Sequence, residues 1–303
     1  MKVEFSAFPK AFAGNVAVFV AADKQLLATA QVLDRDSGGT LTRALEAGSF
    51  TGGKGQTLTV LGHAGANIAR LLLLGVGKAR GLDARAAEGL GGVIAAEANA
   101  AGHKAVTVVV DPVKGSKLTP AQIAAHLALG AQLRNYRFDK YKTKDKPEQK
   151  LSLAELTIVV AGPAEARRAH ERLAPTVDAV FFTRDLVSEP ANVLYPVEFA
   201  RRAKELSKLG VKVQVLGEAE MKKLGFTHVY VNLQAIASQN VSPDRWAEAA
   251  VLTGQPKPLD KSDRDRIAGN FEEKDKALIA EASAAGAIRP IAGDRRWVLF
   301  EIR

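Results

Sequence analysis

The chain has 303 residues, of which 47% are hydrophobic and 25% charged, with a net charge of +9 and no cysteine. A single core seldom grows past roughly 250 residues, so two domains are expected, and the composition is that of a globular rather than a disordered chain. Without cysteine there are no disulfides, thiolate-bound zinc or iron–sulfur clusters, and any metal would need His, Asp, Glu or Lys.

From the N-terminus, short β-branched runs alternate with alanine-rich helical stretches, the pattern of an α/β layer fold. Strands are expected at residues 3–5, 16–20, 57–61, 71–75, 106–110 and 156–160. The longest apolar runs, 16–22 and 71–77, are too short to cross a bilayer, which takes about 20 residues. The stretch around 11–22 reads as a strand and not as a signal peptide, because Glu4 sits where positive charge belongs and Lys10 and Asn15 interrupt the apolar region.

A helix is expected over 83–101, where Leu90, Val93, Ile94 and Ala98 recur at helical spacing. Another begins at Thr119, with Gln122 placed to complete a capping box, Pro120 in the first turn, and Ile123, Leu127 and Leu129 on its buried side. Residues 137–150 are strongly basic and lose the apolar period, as a solvated loop or connector does. A helix over 175–187 follows, then helix (197–209), strand (211–216) and helix (218–224). After Phe226 the alternation stops; only 274–285 reads as helix and 296–302 as strand. The expected division is therefore an N-terminal α/β domain over 1–165, a linker helix and the beginning of a second domain over 166–226, and a divergent tail over 227–303.

The most specific stretch is RDLVSEPANVLYPVEF at 184–199, which fixes a helix end, two prolines and an Asn within a few turns. It resembles the segment that opens the catalytic domain of the leucyl (cytosol) aminopeptidase family. GVKVQVLGEAEMKKLGF at 210–226 continues that likeness, YRFDKYKTK at 136–144 is similar to a signature near the end of the family's N-terminal domain, and GVGK at 75–78 falls where the family ends a strand. Family members often carry Asn where Ser188 stands and Thr where Tyr195 stands. A Thr there would form a capping box with Glu198, and Tyr cannot cap, a loss of about 1 kcal/mol.

The resemblance implies a macro-like N-terminal domain with a mixed sheet flanked by helices, followed by a truncated α/β catalytic-domain start and a divergent C-terminal tail. It also implies a cytoplasmic protein, hexamers built largely through the catalytic domain, and release of N-terminal amino acids from peptides by two divalent metals, manganese or zinc. Those metals activate water and polarise the scissile carbonyl. The family's ligands come from motifs resembling GKGxxFDTGG, DMGGA and NTDAEGR, and none of the three occurs in this sequence. Gly53, Lys54 and Gly55 do read GKG, but Gln56 and Thr57 follow with no Phe-Asp pair, which marks a turn. The expectation is thus a truncated, non-catalytic relative with no catalytic residue, no metal ligand and no cofactor of its own.

The remaining chemistry is thinly spread. Asp260, Asp263, Asp265, Glu272, Glu273 and Asp275 alternate with Lys and Arg, as on a solvated charged face. His63, His103, His126, His170 and His228 are each isolated and read as structural. Gly75 and Gly77 after a strand end a turn or approach a phosphate; the third glycine of a dinucleotide fingerprint is missing. The segment after Phe226 carries 11 basic and 11 acidic residues, so the whole excess charge lies in residues 1–226. A second role follows from that charge and from family members that moonlight on DNA: an accessory function, or weak, sequence-indifferent nucleic-acid binding, through the basic N-terminal domain. Its candidate contacts are Arg134, Arg137, Lys140, Lys142 and Lys144, with Tyr136 and Tyr141 to stack; a solvated loop explains the same residues. The expected partners are self and DNA, with no membrane.

Overall fold

The computed structural model describes residues 1–63, 67–144, 150–217, 220 and 223, together with the strand backbone of 228–232, 288–293 and 297–302. Its contacts divide the chain into two compact units, Met1–Ser188 and Glu189–Arg303.

The first unit is a mixed α/β layer. In chain order it comprises β1 (Lys2–Ser6), β2 (Ala13–Ala21), β3 (Gln25–Leu26), α1 (Ala28–Asp36), α2 (Thr40–Ala47), β4 (Thr57–His63), β5 (Asn67–Gly77), α3 (Ala84–Ala100), β6 (Ala105–Val110), α4 (Pro120–Arg134), β7 (Glu155–Val160) and α5 (Pro163–Ser188). The sheet runs β1-β7-β6-β2-β5-β4, parallel from β1 through β5 and antiparallel at β4, with the short β3 antiparallel beside β2. Side chains of β2 alternate between two cores, as the twofold period of a strand requires. Ala17, Phe19 and Ala21 share one core with Leu90 and Ile94 of α3 and Ile123 and Leu127 of α4. Val16, Val18 and Val20 share the other with Leu33 of α1 and Leu41 and Leu45 of α2. Both faces are covered, which is why β2 and β5 read as continuous apolar runs.

All six strands expected in the first unit are present, and Thr119 forms its full capping box with Gln122. Helices α1 and α2 and the hairpin strand β3 were not foreseen. Helix α5 begins at Pro163, not at residue 175, and continues through Pro175, which a helix interior normally resists because the ring displaces a carbonyl and removes a donor. The first twelve residues of α5 are rich in Ala, Glu and Arg, good helix formers that carry the helix into the proline. Residue 165 thus lies inside α5, and the compact unit extends to Ser188.

In the second unit, α6 (Pro196–Lys204) is followed by a 3-10 turn, Glu205–Leu209, which Gly210 ends at φ 85°. The strand expected at 211–216 is absent: residues 211–217 adopt no regular structure, and Val211 and Val215 stay exposed. Of the helix expected at 218–224 only Glu220 and Lys223 are described, both helical. Strands β8 (His228–Asn232), β9 (Ile288–Gly293) and β10 (Trp297–Ile302) form an antiparallel sheet in the order β8-β10-β9. β10 matches the strand expected at 296–302, and the helix expected at 274–285 lies outside the described residues. No helix among the described residues is long and apolar enough to cross a membrane.

Candidate functional site

Two of the motifs singled out in the sequence meet where α4 ends and α5 runs past it. Tyr136, two residues beyond α4, donates its hydroxyl to Asp185 Oδ1 at 2.6 Å. Its ring packs against Phe181 at 5.1 Å between centroids and lies under the Arg184 guanidinium at 4.0 Å. Arg184 also donates to the Leu133 carbonyl at 3.0 Å, closing the end of α4. Burial and the bond to Asp185 hold the Tyr136 phenol above its ordinary range, so it stays protonated as the donor. This cluster fastens α5 to the preceding layer; it brings no nucleophile next to a base.

Tyr136 is therefore engaged within the fold by its hydroxyl and by two ring contacts. The five candidate cations differ among themselves. Arg134 ends α4 and is exposed. Arg137 is 19% exposed and pairs through Nε with Asp139 at 2.5 Å. Lys140 lies 5.4 Å from the centre of the Tyr141 ring, which itself contacts Phe138, and Lys142 and Lys144 are exposed.

Two histidines are bonded within the fold. His126 Nδ1 meets Glu88 at 2.9 Å, and His170 Nε2 bonds Gln132 at 2.8 Å while its ring packs on Phe5. His103 has a buried Nε2 with no hydrogen-bond partner; burial and then the charge of Arg70 lower its basicity. Gly75 and Gly77 are explained by packing. A Cβ on Gly75 would lie 2.1 Å from the Gly53 carbonyl oxygen, and Gly77 at φ 73° donates to the Gly52 carbonyl at 2.9 Å. The loop that contains Gly53 and Gly55 covers this backbone, so it forms a turn and leaves no phosphate cradle.

The carboxylates at the start of the second unit are engaged with arginines. Glu189, with a side chain 2% exposed, takes Arg202 Nη1 at 3.1 Å. Glu198 accepts from Arg201 at 2.6 Å and from Arg202 at 2.8 Å, and these two guanidinium groups hold its carboxyl down to about 2. No three His, Asp or Glu side chains among the described residues gather as metal ligands. The described residues do not fit a two-metal centre.

Comparison with known proteins places this architecture. Residues 17–145 match the cytosol aminopeptidase family, N-terminal domain, and residues 181–254 match the same family's catalytic domain. The chain belongs to the cytosol aminopeptidase family. Among curated relatives of this aminopeptidase-family chain, a probable cytosol aminopeptidase of Caulobacter vibrioides is 39% identical over 259 residues, covering 84% of this chain and 51% of the relative. One of Sinorhizobium medicae is 43% identical over 230 residues, covering 74% and 45%. The chain thus spans about half the length of the curated relatives it matches. A tomato leucine aminopeptidase mutant superposes with a TM-score of 0.58 at 19% identity, over 80% of this chain and 47% of that one, which shows a shared fold. A bottromycin maturation enzyme, BotP, solved in complex with Mn, gives a TM-score of 0.52 at 25% identity, over 71% and 41%. The catalytic-domain match continues to residue 254, beyond the change of texture at 227.

The Tyr136–Asp185 contact was not foreseen, although both residues lie in motifs noticed for their likeness. No property of either stretch alone indicates that a helix returns one to the other.

Proposed function

We propose that this 303-residue chain is a non-catalytic member of the cytosol aminopeptidase family, which by itself does not release N-terminal amino acids from peptides. The observation that carries this reading is the state of its carboxylates. Asp185 near the end of α5 is held by Tyr136, and Glu189 and Glu198 in the family-like opening of the second unit are held by Arg202 and Arg201. The sequence supplies none of the three ligand motifs that the family resemblance calls for. Two metals would provide most of the driving force for water attack on an amide, and no activated nucleophile replaces them among the described residues. The names of the relatives support a cytoplasmic setting. Calorimetric titration of the purified chain with manganese or zinc is expected to show no saturable site; two equivalents bound per chain would overturn the reading.

A second reading is weak nucleic-acid binding through the basic loop, favoured by the exposure of Arg134, Lys142 and Lys144. Replacing Arg137, Lys140, Lys142 and Lys144 with Ala should flatten the dependence of log affinity on log salt by about 3 to 4 units if all four meet duplex phosphates. An unchanged slope would clear the loop of that role.

A further inference from the structure

The loops at the C-terminal edge of the parallel strands carry five exposed cations. Lys54 precedes β4, Lys78 and Arg80 follow β5, and Lys114 and Lys117 follow β6. Packing holds these three loops side by side. A Cβ at Gly77 would stand 3.2 Å from Lys54 Cβ, and one at Gly115 would stand 3.7 Å from Ala79 Cβ. Ser116 Oγ donates to the Leu82 carbonyl at 3.3 Å. The five cations therefore share one edge of the sheet.

The carboxylates of the same loops are turned to other tasks. Asp83 caps α3, accepting from the Ala86 N–H at 2.8 Å. Asp111, 2% exposed, accepts from the Thr29 N–H and hydroxyl at 2.9 and 2.8 Å, at the first turn of α1. No ion pair involving any of the five cations occurs among the described residues, whereas Arg70, Arg137, Arg201 and Arg202 all have acidic partners. Helices α3 and α4 also begin at this edge, adding the partial positive charge of their N-termini.

Open α/β sheets bind ligands outside the carboxyl ends of their strands, where connections diverge to either side. Here they diverge at β2: β5 pairs with one side of it, and the chain crosses from β5 through α3 to β6 on the other. We propose that this edge binds a compact, multiply charged phosphate compound, an inorganic oligophosphate or the phosphate chain of a nucleoside triphosphate. Recognition comes from side chains, since the backbone at Gly75 and Gly77 is covered. Confinement of the charge to three adjoining loops suits a short phosphate chain better than a long duplex track.

The test uses the full chain at low salt, titrated with inorganic tripolyphosphate, ATP and a short DNA duplex. Two triple variants remove equal charge: Lys78→Ala with Lys114→Ala and Lys117→Ala at the edge, and Lys140→Ala with Lys142→Ala and Lys144→Ala in the basic loop. The edge triple should weaken tripolyphosphate binding about tenfold or more, as the loss of three exposed charge contacts implies, and the loop triple less than about twofold. Charge reversal by Lys114→Glu alone should weaken it too, should the edge triple fold poorly. ATP binding more tightly than tripolyphosphate would show that the nucleoside is also read, and equal binding would assign recognition to the phosphates. Equal weakening by both triples, or no tripolyphosphate binding at low salt, would overturn the proposal. So would duplex binding that depends on the edge while tripolyphosphate fails to bind. None of these outcomes bears on whether the chain hydrolyses peptides.

Discussion

At the scale of single residues, Tyr136 shows how chemistry that looks available in a sequence is absorbed by packing. A tyrosine beside basic residues suggests stacking on bases, but its hydroxyl is bound to Asp185 and its ring contacts Phe181 and Arg184. Tyr136→Phe removes a hydrogen bond to a carboxylate and should lower stability by about 1 to 2 kcal/mol in denaturant titration. An unchanged midpoint would mean that the contact holds nothing. His170 behaves as an isolated histidine is expected to, as part of the fold. Burial lowers its pKa from 6.5, so the unfolded chain binds a proton more readily than the folded one. Its contribution is present above pH 6.5 and is lost as pH falls below that value toward the lower folded pKa. Melting temperature should therefore fall on acidification through this window, and less steeply in His170→Gln. Identical slopes for the two proteins would exclude His170 as the cause.

At the scale of elements, what the sequence revealed depended on whether the stabilising partner is local. The strands and the Thr119-capped helix were legible because β-branched runs and a capping box are local signals. Helix α1 was not: its N-cap, Leu27, makes no side-chain bond, and the capping carboxylate comes from Asp111, far along the chain. Helix α2 likewise starts after Gly39 and takes its cap from Asp34 on the previous helix. Helices α3 and α4 pack through glycines for a reason that only the fold discloses. A Cβ on Gly91 would lie 2.0 Å from the Leu127 carbonyl oxygen, and one on Gly130 would lie 1.8 Å from that of Glu88. Gly91→Ala should thus destabilise by about 1 to 3 kcal/mol or more, through forced separation of the helices, against a propensity gain of about 1 kcal/mol. A raised melting temperature would contradict this close approach. In the second unit Tyr195 occupies the N-cap of α6 without a capping bond, as its chemistry requires. Tyr195→Thr should stabilise α6 by about 1 kcal/mol, measured by thermal unfolding; no gain would show that Glu198 is held too firmly by Arg201 and Arg202 to complete a capping box.

At the scale of the whole molecule, the family was legible from short motifs because a helix end, two prolines and an Asn at fixed spacing constrain the backbone tightly. The extent of the family likeness was less so: the catalytic-domain match reaches residue 254, where the apolar pattern had already faded. The candidate anion edge was invisible in sequence, since its cations are scattered from Lys54 to Lys117 and only the sheet gathers them. A family member whose carboxylates are engaged by arginines and a tyrosine should fail to hydrolyse a leucyl amide. The purified chain, with manganese or zinc added, should release leucine no faster than a buffer control, while the full-length Caulobacter vibrioides relative, assayed alongside, provides the comparison. Turnover that follows the chain through purification and disappears with chelator would contradict the account.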